Sequence, residues 1–289
     1  MMVTTARKFI SRGALTKQMV DRFLDPDAHN KTMFDPVLGY LPKTGVKRDG
    51  MQGSYAIYRY HRTGERWKSN FADRACRINT YGNSFTQGVQ VSDGETWQEY
   101  LAAHLGEPIR NFGVGGHGVY QAYRRILREE EGDSSAEYII LNIFSDDHFR
   151  NLCKWRWLHL PEFQEISLRS VSHIGDAWSF DANPWAHVRL NTQTGYFEEC
   201  ENPYPEPESL YLLCDEEHVY ENFKGDFELQ ATLAKNHIAD VNTDVLLRTA
   251  EALGMPADFS SPDATSRTAH DLLRTCSLRS TMYISDLAK

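Results

Sequence analysis

The sequence has little that would tie it to a membrane, a nucleic acid or a disulfide framework. Its longest apolar runs, such as Tyr138–Leu141, are only a few residues long, far short of the ~20 that a transmembrane helix needs. No basic block occurs, and 31 Lys+Arg against 40 Asp+Glu leave a formal charge of −9; both argue against nucleic acid or an anionic membrane as partner. Cysteine is sparse: Cys76, Cys153, Cys200, Cys214 and Cys276 form no C-x-x-C pair. Free thiols in a reducing compartment are therefore expected, and a structural zinc is not. The start, MMVTTARKFISRGALTK, lacks the apolar core and small-residue cleavage site of a signal peptide, so a cytoplasmic location is expected. With 19 Gly and 11 Pro the chain is neither collagen-like nor of low complexity. It has no internal repeat, and no cofactor or resident metal is expected.

What is present is an ordinary globular composition, 289 residues with 41% hydrophobic, long enough for one large domain or a domain carrying an insertion. Residues 1–73 read as a mixed N-terminal extension. Turn signals at Pro36, Gly39, Pro42, Gly45 and Gly53 and the aromatic run Tyr55–Tyr60 suggest a few antiparallel strands or an extended N-terminal cover.

From residue 74 to 150 the pattern becomes regular. Cys76–Tyr81 reads as a strand, broken by Gly82-Asn83-Ser84. Ser92 and Glu95 form a capping-box signature, and Trp97, Tyr100, Leu101, His104 and Leu105 follow at helical spacing before Gly106. Ile109–Val114 reads as a second strand running into Gly115-Gly116-His117-Gly118. Val119, Tyr120, Tyr123, Ile126 and Leu127 mark a second helix, ended near Gly132. Tyr138–Phe144 is a third, almost wholly apolar strand, as expected where helices cover both faces of a parallel sheet. The sum is a β-α-β-α-β unit of α/β class. In such sheets, functional groups gather beyond the carboxyl ends of the strands. Those ends carry Ser84, a Gly-Gly-His-Gly turn and Ser145-Asp146-Asp147-His148.

A serine on a tight turn after glycine is held with its hydroxyl exposed and its N–H free, which suits a nucleophile that helps bind an oxyanion. The same glycines also serve simply to let the strands turn. Tyr81-Gly82-Asn83-Ser84-Phe85-Thr86 resembles the Gly-Asp-Ser turn of the SGNH/GDSL hydrolases, a family of serine esterases and lipase-like enzymes. Asn111-Phe112-Gly113-Val114-Gly115-Gly116 is similar to that family's second motif. The resemblance covers about residues 74–150. It implies a three-layer α/β/α sandwich with a flavodoxin-like parallel sheet, and hydrolysis of an acyl or acetyl ester on a carbohydrate or lipid. It implies Ser84 as nucleophile and the N–H groups of Ser84 and Gly116 as oxyanion donors.

Three positions depart from the family pattern. Asn83 stands where aspartate is usual. Ile143-Phe144-Ser145-Asp146 replaces Gly-x-Asn-Asp, leaving either Ser145 as the candidate third donor or a hole of two donors. The single D-x-x-H, Asp215-Glu216-Glu217-His218, offers an acid and base, but within a stretch, Glu208–Phe223, of helical spacing. Thr268–Lys289 reads as an amphipathic helix through Leu272, Leu273, Cys276, Met282, Tyr283 and Leu287, with no strand after it. The expectation is therefore an N-terminal portion of such a domain, its helical segment 226–289 standing before further strands. The competing reading is a catalytically incomplete relative that binds a glycan or partner.

Residues 151–225 form an aromatic-rich insertion. Trp155, Trp157, Trp178 and Trp185 are read as the core of a cap in preference to a sugar- or acyl-binding surface. His117 and Asp146 are candidate substrate contacts. Asp146, Asp147 and His148 are donor types suited to a divalent metal, but adjacent carboxylates diverge and no metal is assigned. Asp226–Ala252 is read as packing helices broken at Asn242-Thr243.

Overall fold

The chain enters through two helices that the turn-rich sequence does not announce, α1 (Thr5–Ser11) and α2 (Lys17–Leu24). Two antiparallel pairs follow, β1 (Thr32–Asp35) with β2 (Gly39–Pro42) and β3 (Gly45–Lys47) with β4 (Ala56–Tyr58), in line with the strands expected there. The computed structural model describes residues 5–11, 14–28, 31–48, 50–152 and 185–288.

Three parallel strands then organise the molecule. β5 (Ile78–Tyr81) lies between β6 (Ile109–Asn111) and β7 (Tyr138–Leu141), in the order β6-β5-β7. Each is shorter than the apolar run that predicts it. The pairing nevertheless continues past the strand ends: Phe112 and Val114 N–H donate to the Thr80 and Gly82 carbonyls, and Asn142 N–H to that of Tyr81. Between the strands run α3 (Ser84–Gln87), α4 (Trp97–Leu105) and α5 (Val119–Glu130), and after β7 comes α6 (Ser145–Arg150). The architecture is mixed α/β around a parallel three-stranded sheet.

Two expectations about packing are corrected. β7 is not covered on both faces, since Tyr138, Ile139 and Ile140 are exposed. The helix faces are also more polar than the apolar spacing suggests. On α4 the buried residues are Gln98, Glu99 and Ala102, while Tyr100 and Leu105 are exposed. Gln98 donates to Thr86 O at 2.7 Å, and Glu99 accepts from the N–H groups of Ser69 and Asn70. These long polar side chains satisfy loop backbone that would otherwise be buried without partners. On α5, Arg125 and Glu129 are buried where Leu127 was expected.

The outer edge of β6 is closed by the N-terminal region. Arg66 forms an antiparallel bridge to Asn111, its N–H donating at 2.9 Å. Its fully buried guanidinium donates to the carbonyls of Gln87 (2.5 Å), Gly88 (2.7 Å) and Val91 (2.6 Å) and to Asp93 (3.1 Å). A cation is thus held on the C-terminal carbonyls of α3, where the helix dipole favours it.

The remaining chain supplies a β-hairpin, β8 (His187–Leu190) with β9 (Phe197–Cys200), and a helical layer. The helices are α7 (Glu216–Phe223), α8 (Phe227–Lys235), α9 (Thr243–Leu253) and α10 (Pro262–Leu287). The break expected at Asn242-Thr243 is where α9 starts, with Asn242 at its N-cap position. Ser261 caps α10, accepting from Ala264 N–H, so that helix begins six residues before the expected start. Ala231, Leu246 and Ala250 of the neighbouring helices form one core with Leu272, Leu273 and Cys276 of α10. Trp185 belongs to another, beside Phe34 and Tyr40 and shared with the N-terminal helices. Trp155, Trp157, Trp178 and Cys153 lie outside the described residues. No helix among the described residues is long and apolar enough to cross a membrane.

Burial along α10 separates its apolar residues into two groups. Leu272 is fully buried whereas Met282 is 67% exposed. Leu272→Ala is therefore expected to cost about 2–5 kcal/mol in urea unfolding, and Met282→Ala less than about 0.5 kcal/mol. Equal losses would contradict this packing.

Candidate functional site

The turn after β5 is possible because residue 82 is glycine. Gly82 has φ +145°, and a Cβ there would meet Thr86 Oγ1 at 2.5 Å and Asn142 O at 2.9 Å. Asn83 then caps α3, its Oδ1 accepting the Phe85 N–H at 2.8 Å. Ser84 is the first helical residue and is half-buried. Its carbonyl accepts from Gly88 and Val89 N–H, both at 3.1 Å. Neither its hydroxyl nor its N–H has a hydrogen-bond partner among the described residues.

The second turn lies directly against the first. A Cβ on Gly113 would fall 2.2 Å from Gln87 N, and one on Gly115 would fall 3.6 Å from Ser84 Cβ. Gln87 Oε1 accepts the Gly115 N–H at 2.7 Å, and its Nε2 donates to the Tyr60 hydroxyl at 2.7 Å. The Tyr40 hydroxyl donates to Gly115 O at 2.8 Å. The next N–H, that of Gly116, is unengaged among the described residues. Two backbone donors without a partner among the described residues, on Ser84 and Gly116, therefore lie on adjoining turns, one of which carries the serine hydroxyl. Such donors are what a developing oxyanion requires.

His117 does not reach the surface. Its ring packs edge-on to Tyr40, 4.9 Å between centroids, and is fully buried. The Tyr40 backbone bonds the ring, while Nε2 has no partner among the described residues. Burial, reinforced by the cations Arg125, Arg128 and Arg150, holds its pKa well below the usual 6.5. It is a neutral support for the Gly115-Gly116 turn, which does not match the expected role as a substrate contact.

The third strand end explains Asn83. Asn83 Nδ2 donates to the buried Asp147 Oδ2 at 2.5 Å, and the same oxygen accepts the Phe144 N–H at 2.8 Å. Arg150 Nη1 binds Asp147 Oδ1 at 2.8 Å and also the His117 carbonyl at 3.2 Å. An amide at 83 can accept from Phe85 and donate to Asp147 at once; the aspartate usual in the resembled family would set two carboxylates against each other. Burial pushes the Asp147 carboxyl up from its ordinary value, against the opposing pull of the Phe144 N–H, Arg150 and Asn83. Ser145 opens α6 and is exposed, and Asp146 accepts from Arg150 Nη2 at 2.6 Å. His148 Nδ1 lies 2.8 Å from Thr281 Oγ1 of α10. Arg150 thus holds both Asp146 and Asp147 while His148 turns to Thr281, and no group of three or more metal-ligating side chains occurs among the described residues.

Asp215 and His218 do not form a relay. Asp215 is the N-cap of α7, accepting the Glu217 N–H at 2.9 Å, and His218 Nε2 lies 3.0 Å from the Tyr204 hydroxyl. Among the described residues no hydrogen bond joins them to each other or to Ser84. A separate cleft, lined by Arg189, Glu228, Arg248 and Cys276 among others, contains none of the residues proposed from sequence. Gln87 was missed as a site residue, and Asp147, weighed only as a metal donor, instead joins the turns. Gln87 stands three residues after Ser84, one helical turn on, which is a readable signal; Tyr40, 75 residues before Gly115, had none. No protein-family model, curated protein or solved structure matches the chain.

Two outcomes follow from these contacts. Asn83→Asp is expected to lose about 1–3 kcal/mol of stability at pH 7 and less at pH 4, where the paired carboxyls share a proton; an equal loss at both would refute the bridge. His117, with its pKa depressed in the fold, contributes stability that is present above pH 6.5 and lost as pH falls below it, by up to about 1.4 kcal/mol per pH unit. Chemical denaturation of His117→Gln between pH 7 and 5 should show a flatter profile than wild type, and parallel profiles would contradict the assignment.

Proposed function

We propose that the chain is a serine hydrolase of SGNH/GDSL type that cleaves a carboxylic ester, with the three-layer sandwich of that family as its fold. Ser84 attacks the carbonyl carbon and gives up its hydroxyl proton to water, the N–H groups of Ser84 and Gly116 bind the oxyanion, the alcohol leaves with a proton, and a second water releases the acid from the acyl-Ser84. Ser145, at the next strand end, is the candidate third donor. The observation that carries the reading is the pairing of an unengaged serine hydroxyl with two unengaged backbone donors on adjoining turns. The order of the three strand ends in the sequence supports it. Losing one oxyanion donor costs ~100–1000-fold in rate, so activity should be sensitive to any side chain at 116.

A second reading, a catalytically incomplete relative acting as a glycan- or partner-binding module, is favoured by the commitment of imidazoles elsewhere. His218 is bonded to Tyr204 and His148 to Thr281. Without a base a serine hydroxyl is a weak nucleophile at neutral pH.

A fluorophosphonate probe separates the two. Covalent labelling of wild type, abolished in Ser84→Ala and retained in His218→Ala, is the expected result. No labelling of wild type above the Ser84→Ala background supports the binding module. Labelling that His218→Ala removes without loss of fold would restore His218 as the base.

A further inference from the structure

The peptide between Gly115 and Gly116 carries the second backbone donor of the site, and it is the easiest kind of peptide to turn. Neither flanking residue has a Cβ, and Gly116 sits at φ +86°, so the local backbone does little to fix the direction of the N–H. The Gly115 carbonyl and the Gly116 N–H belong to one planar trans unit and point in opposite directions. Whatever holds the carbonyl therefore aims the N–H.

That carbonyl is held from outside the parallel sheet. The Tyr40 hydroxyl donates to it at 2.8 Å across 75 residues of sequence. Tyr40 lies on β2 and is fully buried, its ring edge-on to His117 and to Trp185, so water does not compete for the bond. A second tyrosine acts on the other side of Gly115. The Tyr60 hydroxyl accepts from Gln87 Nε2 at 2.7 Å, which leaves Gln87 Oε1 turned to the Gly115 N–H, also at 2.7 Å. Both tyrosines precede residue 74, outside the part of the chain that resembles a hydrolase.

A hydrogen bond accepted by a peptide carbonyl also draws charge from the amide nitrogen, and in a buried setting this makes the N–H a stronger donor. If Ser84 is the nucleophile, as proposed above, we infer that Tyr40 is a positioning residue for ester hydrolysis. Through the Gly115–Gly116 peptide it aims and polarises the N–H that receives the oxyanion, and Tyr60 supports it through Gln87. The N-terminal strands are thereby part of the hydrolytic site, although Tyr40 acts only through the peptide.

Tyr40→Phe removes the hydroxyl and keeps the ring. Three measurements on the full chain test the inference: p-nitrophenyl acetate turnover, fluorophosphonate labelling of Ser84, and the amide spectrum of protein carrying isotope-labelled glycine. Wild type should be labelled at Ser84. Tyr40→Phe, with unchanged circular dichroism, should show kcat lowered about tenfold at a KM within about twofold of wild type. A loss in kcat at constant KM marks an interaction made in the transition state, and it is smaller here than the ~100–1000-fold of a deleted donor. The Gly116 amide nitrogen should move upfield as its carbonyl partner loses a bond, a change that packing alone would not cause. A labelled wild type with either kcat or the Gly116 resonance unmoved in Tyr40→Phe overturns the inference and leaves the hydrolase reading standing. So does a loss confined to KM. A wild type that is neither labelled nor active removes the hydrolase reading and this inference with it. Should Tyr40→Phe fail to fold, Tyr60→Phe at its half-buried position carries the test: kcat lowered about threefold supports the inference, and kcat equal to wild type overturns it.

Discussion

One side-chain amide joins the pieces of this site. Asn83 accepts from the Phe85 N–H on its own turn and donates to Asp147 beyond β7. Through Asp147 it reaches Phe144 N–H and Arg150, and through Arg150 the carbonyl of His117 after β6. All three strand ends are thereby tied to one buried carboxylate. The helix that presents Ser84 is only four residues long and would not persist in isolation. It is held at its start by Asn83 and at its end by Arg66.

The electrostatics of the region follow from the same arrangement. Asp147 is the buried carboxylate at the junction of the turns, held by the N–H groups of Asn83 and Phe144 and by Arg150, which also binds the exposed Asp146. His117 is buried near three arginines and stays neutral, so no additional positive charge enters beneath the glycine turn. With Gln87 and Tyr40 fixing Gly115 from both sides, the Gly116 N–H is left pointing free. A donor fixed in advance stabilises developing charge without reorganising during the reaction.

The sheet and its strand ends were legible because they rest on local signals: apolar runs, glycine turns and capping residues. The antiparallel N-terminal strands and the break before Thr243 were legible for the same reason. Helix faces were not, because Gln98, Glu99 and Arg125 are buried by long-range partners in loops that periodicity does not see. The exposure of β7 was missed because an apolar strand reads the same whether its faces are covered or open. In the site, Ser84 and Gly116 are named by the resemblance of their two turns to a known family's motifs, since glycine turns after strands by themselves fit a bland reading equally well. The D-x-x-H match misled, because four residues carry no information on whether Asp215 is capping a helix or facing an imidazole. Asn83, noted only as a departure, proves to be the connection between turns, which depends on Asp147, 64 residues away.

The central claim is that the Ser84 hydroxyl and the N–H groups of Ser84 and Gly116 converge on one reacting centre. A crystal structure of the Ser84 phosphonate adduct tests it most directly. The account places the phosphoryl oxygen about 2.7–3.1 Å from both backbone nitrogens, with the Asn83–Asp147 bond intact. An adduct whose oxygen faces solvent, or makes its hydrogen bonds to neither nitrogen, would contradict it.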